Sequence, residues 1–117
     1  MTLKVRFCLF AVILLVSMLL PLISFQPASA ATYTVTFTAD NITPGSLRWA
    51  ITQANAAAGT HTIAFNIPTT DPGYYTENAT SHWWRIQLAS TLPRITRAGV
   101  TIDGTTQTSN QGDTNPG

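Results

Sequence analysis

Cysteine is almost missing from this 117-residue chain: Cys8 is the single example, and it sits in the apolar stretch near the amino end. The remainder can therefore form no internal disulfide and hold no thiolate metal site. Charge is scarce as well. Beyond residue 30 there is no lysine, and Arg48, Arg85, Arg94 and Arg97 stand against Asp40, Asp71, Glu77, Asp103 and Asp113, a balance of about minus one. Nucleic acid and anionic membrane surfaces both need clustered positive charge, so neither is an expected partner. Signatures of common chemistry are lacking too. No Gly-x-Ser-x-Gly turn occurs, which argues against a serine hydrolase. His61 and His82 lie 21 residues apart with no companion at ligand spacing, so they read as exposed loop-edge residues and not as a zinc pair. No Asp-rich loop of calcium-binding spacing appears, and no metal or cofactor is expected.

What is present begins with an export signal. Lys4 and Arg6 precede the apolar run Phe7 to Leu20, and Ala28-Ser29-Ala30 gives a small-residue cleavage pattern, which predicts a signal peptide over 1–30 cut after Ala30. A retained transmembrane helix is the competing reading. The run has 14 residues and is followed by Pro21, short of the roughly 20 that a bilayer core requires. No cysteine stands at the cut to carry a lipid. The expected product is secreted or at the cell surface, without a stable membrane span, and about 87 residues long. A domain of that size buries roughly 60–65% of its unfolded surface, so its stability is marginal unless further structure completes it.

Thr32 to Thr38 alternates threonine with Tyr33, Val35 and Phe37, the pattern of a strand with one buried face. Turn residues from Asn41 to Gly45 lead to Ser46 as N-cap. Leu47, Ala50, Ile51 and Ala54 then recur at i, i+3, i+4 and i+7, predicting a helix over 46–58 with Gly59 at the left-handed C′ position. Strands follow at His61 to Ile67, Trp84 to Leu88 and Val100 to Asp103, with Pro68 ending the first of them. Residues 69–82 read as a surface loop. After Gly104 there is no aliphatic or aromatic residue, so 105–117 reads as a polar linker or truncated tail that cannot gain order through burial. Threonine, with 19 copies beyond residue 30, suits a sheet-rich surface. A small antiparallel sandwich with one helix is one candidate architecture; a parallel coil giving one short strand per turn fits the uneven spacing better.

The stretches PGSLRWAITQANAAAGTHTIAFNIP (44–68) and LASTLPRITRAGVTIDG (88–104) resemble the opening module of secreted right-handed parallel β-helix proteins, the group that includes CSLREA-domain proteins and relatives of the chlamydial polymorphic outer-membrane proteins. The shared pattern is the G-S-L-R-x-A-I-x-x-A-N helix at Gly45 to Asn55, the T-I-x-F strand at Thr62 to Phe65, the L-P-x-I bend at Leu92 to Ile95, and V-T-I-D-G at Val100 to Gly104. The chain departs from the family in carrying Trp49 where an acidic or amide residue usually stands, which leaves Ser46 to cap alone. The resemblance implies a mainly β fold over 31–104: a capping helix laid across the first rungs of a parallel β-helix, packing on further rungs. The core expected from it sets Leu47, Ile51 and Ala54 against Ile63, Phe65, Ile86, Leu88 and Ile102.

Functionally, the resemblance implies a non-enzymatic, adhesin-like repeat scaffold. The competing implication is the amino end of a β-helix polysaccharide lyase or hydrolase whose active site lies in other rungs, and a third reading is a free-standing secreted binding domain. Asp103 offers a carboxylate, but glycoside hydrolysis needs two about 5–10 Å apart, and Asp before Gly is ordinary turn chemistry. The remaining candidates are aromatic. Tyr74, Tyr75, Trp83 and Arg85 could contact an extracellular polysaccharide or cell-surface glycan, the rings stacking on sugars and the arginine holding a carboxylate. Against this stands the reading that Trp84 is core and Trp83 covers the helix end. Asn41 and Asn78 each begin an Asn-x-Thr glycosylation triplet.

Overall fold

The structure, a computed structural model, describes residues 28–114; the predicted signal up to residue 27 and the last three residues lie outside them. The first strand, β1 (Ala31–Val35), places Tyr33 and Val35 inward and leaves Thr32 and Thr34 exposed. Beyond it the chain doubles back through Asn41–Gly45. Gly45 has φ +101°, and a Cβ there would lie 2.5 Å from the Thr36 hydroxyl and 2.8 Å from the Phe37 ring. Only glycine tolerates both the dihedral and the approach.

Helix α1 (Leu47–Ala56) follows directly. The Ser46 hydroxyl accepts the Trp49 N–H at 3.1 Å and donates to the Asn41 carbonyl at 2.6 Å, so a single residue both starts the helix and fastens the preceding turn. Ala50, Ile51 and Ala54 are the buried stripe. The helix stops two residues before its predicted end. Ala57 is extended, and Gly59, at φ +123°, does not sit at C′. Its glycine is required instead by the Ser29 backbone, whose carbonyl oxygen would be 2.2 Å from an added Cβ.

Strand β2 (His61–Phe65) pairs in parallel with β1, Tyr33 beside Ile63 and Val35 beside Phe65. A third strand, β5 (Val100–Asp103), pairs in parallel on the other side of β2, giving the order β1-β2-β5. This sheet is parallel and not antiparallel, while the alternative of a small sheet domain still fits the arrangement as a whole. Helix α1 covers the apolar face of β1 and β2, and the core is Val35, Ala50, Ile51, Ala54, Ile63 and Ile67, flanked by Leu47, Phe65, Ile86 and Leu92. Two residues expected in that core are not there. Leu88 and Ile102 are each 48% exposed, because β5 is an edge strand beyond the reach of α1 and residue 88 lies past the end of its strand.

Between β2 and β5 the expected loop is folded. Strands β3 (Tyr74–Asn78) and β4 (Ser81–Trp84) form an antiparallel hairpin. Aromatic side chains on both arms supply cross-strand pairs, and Asn78 closes the turn by accepting the Thr80 N–H and hydroxyl, each at 2.9 Å. The strand foreseen over 84–88 consequently begins earlier and ends at Trp84. Arg85 still donates its N–H to the Gly73 carbonyl, but Pro72, next in register, has no N–H to continue the ladder.

The polar tail is also ordered. Residues Thr105–Gln111 form helix α2, ended by Gly112 in the left-handed region. Hydrogen bonds replace apolar burial here. Gln107, 5% exposed, accepts the Ile67 N–H and donates to the Ile67 carbonyl, both at 2.8 Å; Thr106 accepts the Phe65 N–H; Asn110 donates to the Phe65 carbonyl. The β5 ladder stops at Asp103 opposite Ala64, and these side chains satisfy the β2 backbone beyond that point. Among the described residues the architecture is mixed, with two helices and five strands in two small sheets and no closed barrel.

Candidate functional site

Alternation along the hairpin sorts its aromatic residues into two rows. On one side Tyr74, His82 and Trp84 pack together, with ring centroids 5.1 Å apart for Tyr74–Trp84 and 5.8 Å for Tyr74–His82. The Trp84 indole N–H donates to the Pro68 carbonyl at 3.0 Å, and Trp84 packs against the central core. This row anchors the hairpin. The opposite row is Tyr75, Trp83, Arg85 and Gln87. Tyr75 and Trp83, a cross-strand pair, stack with centroids 5.7 Å apart and planes 24° apart. The Arg85 guanidinium lies over the Tyr75 ring, 5.0 Å from its centroid.

Three of the four residues proposed from sequence for glycan contact thus share one face. Tyr74 does not join them; its ring belongs to the anchoring row, although it borders the adjoining groove. Trp83 does not cover the helix end, being engaged with Tyr75. Beside this face runs an open groove of about 350 Å³, lined by Thr38, Asp71, Gly73, Tyr75, Arg85 and Gln87. Asp71 is occupied structurally: its carboxylate accepts the Thr38 N–H and hydroxyl and the Gly73 N–H, which fixes the base of the hairpin to the segment after β1. Half of Tyr75 remains exposed.

The Arg and Asn of the G-S-L-R…A-N pattern, seven positions apart on α1, have a structural task. Arg48 makes two hydrogen bonds at 2.8 Å to the Asp40 carboxylate and donates to the carbonyls of Ser90 and Thr91. Asp40 accepts the Ala89 N–H in addition. Asn55 donates to the Arg94 carbonyl and accepts the Thr96 N–H. Residues 89–96, including the L-P-x-I bend, are therefore strapped along the helix at both ends, which delivers the chain to β5. Neither task is legible in the sequence, because the partners of Asn55 and, apart from Asp40, those of Arg48 are backbone groups roughly forty residues away.

The Arg48 hydrogen bonds and the Ala89 N–H hold the Asp40 carboxyl at about 2, below its ordinary 3.8. A depressed carboxyl stabilises the fold above its unfolded value and loses that contribution as pH falls towards the folded value. Stability from this clamp is thus expected to be complete above about pH 4 and to decline towards pH 2. Urea midpoints between pH 6 and pH 2 check this, and Arg48→Gln should flatten that acid limb.

The histidines differ from expectation. His61 is 3% exposed, on the inward face of β2 between Ala31 and Val100, where small Ala31 leaves room and the Tyr33 ring lies 5.6 Å away. Neither of its ring nitrogens has a partner among the described residues. His82 is half-buried within the anchoring row. The Asp103 carboxylate accepts the Thr105 N–H and hydroxyl at the start of α2, which is a turn role. Among the described residues no cluster of His, Cys, Asp and Glu could hold a metal ion, and no helix is long and apolar enough to cross a membrane. In comparison with known proteins, the chain matches no family model, no curated sequence and no solved structure.

Proposed function

We propose that the chain is the opening of an exported, non-catalytic parallel β-helix scaffold of adhesin type whose hairpin face contacts glycans. The observation that carries this reading is the hairpin between β2 and β5, which stacks half-exposed Tyr75 on partly buried Trp83 on the side away from the core, in a chain whose other three strands pair in parallel. In a β-helix, each rung adds a strand beside the last, and excursions between strands become the binding surface. Here α1 packs on the face of β1 and β2, and β5, paired on one side alone among the described residues, has an edge on which a further rung would add. The engagement of Asp103 in a turn supports a scaffold over an enzyme.

Glycan-array binding by the full chain tests the proposal. Trp83→Ala removes half the stacked pair without touching the core, so binding should fall roughly tenfold while the melting temperature is nearly unchanged. Undiminished binding by that variant would remove the hairpin from the proposal.

A further inference from the structure

Arg85 is the feature of the hairpin that a neutral sugar surface does not need. Resting on the glycan reading above, we propose that the groove beside Tyr75 selects a carboxylate-bearing sugar, a hexuronate or sialic acid residue, with Arg85 holding the carboxylate and the Tyr75–Trp83 pair supporting the ring.

Four observations converge on this. First, Arg85 is exposed and has no carboxylate partner: the one ion pair among the described residues joins Arg48 to Asp40, and the Arg85 guanidinium lies against the Tyr75 ring. Second, that ring orients it. A guanidinium held 5.0 Å from an aromatic centroid has already lost part of its freedom, so less entropy is given up when it forms a two-pronged contact with a carboxylate. Third, neither acid near the groove forms an ion pair with Arg85. Asp71, the acid lining the groove, has its carboxylate engaged by three donors from Thr38 and Gly73, and Glu77 lies beyond Tyr75 on the far side from Arg85 in the hairpin register. Fourth, the space is suitable. A groove of about 350 Å³ stands at the lower end of the roughly 300–1,000 Å³ typical of small-ligand sites, and Gln87 adds an amide that can meet a hydroxyl.

The decisive comparison keeps the protein constant and changes the ligand. Titration calorimetry of the full chain would use oligogalacturonate and sialyllactose, each beside its carboxyl-reduced neutral counterpart. At least one acidic ligand is expected to bind roughly tenfold more tightly than its reduced form, as a charged hydrogen-bonded pair requires. Arg85→Gln should erase that difference while keeping the weaker binding of the neutral form, and Arg85→Lys should restore part of it. Tyr75→Ala should weaken acidic and neutral ligands together. Equal binding of acidic and reduced ligands would overturn the carboxylate assignment and leave the glycan reading standing. Absence of binding to all four would overturn both. A preference that survives Arg85→Gln would show that the carboxylate is held elsewhere and would equally overturn the assignment.

Discussion

Replacing Ile51 by aspartate is expected to leave the chain unfolded or aggregated at room temperature. Ile51 is 2% exposed and sits in the α1 stripe with Ala50 and Ala54, against the face formed by Val35, Ile63 and Ile67. Truncating a buried isoleucine to alanine costs about 2–5 kcal/mol, and a carboxylate in the same place adds the loss of its hydration without any partner. Whole domains are stabilised by about 5–15 kcal/mol, with the smallest near the lower end. The substitution therefore removes most or all of what holds the sheet and helix together. Circular dichroism and solubility of the purified chain check it, with Ile51→Val as control, which should cost only about 0.5–1.5 kcal/mol. A cooperative melt of Ile51→Asp near that of the parent would mean that α1 does not depend on this face.

Period and turn chemistry made the elements nearest α1 legible. Strand β1, the Ser46 cap, the Ala50–Ile51–Ala54 stripe and β2 follow from local pattern, because each belongs to an apolar face that its own sequence marks, whereas β5 carries the strand pattern but stays largely outside the core. The hairpin was obscured by composition. Residues 69–82 contain Thr, Pro, Gly and Asn in loop-like density, and the pairing of Tyr75 with Trp83 becomes visible only when both arms are laid together. Histidine hid the inward face at position 61. Its parity with Ile63 placed it inside, yet residue type suggested solvent, and the space beside Ala31 decided the matter. Of the site, residue types were legible and sides were not. Tyr74 and Tyr75 are adjacent in sequence and face opposite ways, as successive strand residues must.

Gln107 marks the limit of reasoning from burial alone, and its replacement is the second large effect expected. No aliphatic or aromatic side chain follows Gly104, yet α2 forms because its amides and hydroxyls complete backbone groups that β5 leaves unpaired. Gln107→Leu preserves shape and removes both bonds to Ile67, stranding an N–H and a carbonyl whose own side chain is 2% exposed in the core. Each orphaned group costs about 1–3 kcal/mol, so a total of roughly 2–6 kcal/mol is expected. Gln107→Glu keeps an acceptor for the Ile67 N–H but sets a buried carboxylate oxygen against the Ile67 carbonyl, and should cost at least as much as leucine at neutral pH. Urea midpoints order the three chains, and limited proteolysis should cut the leucine variant first within 105–114. If leucine instead stabilised the protein, apolar contact with Phe65, Trp84 and Ile86, which share a pocket with Gln107, would outweigh the two hydrogen bonds. The helix would then be held by burial that its own sequence does not mark, and the polar seam along β2 would be incidental to its order.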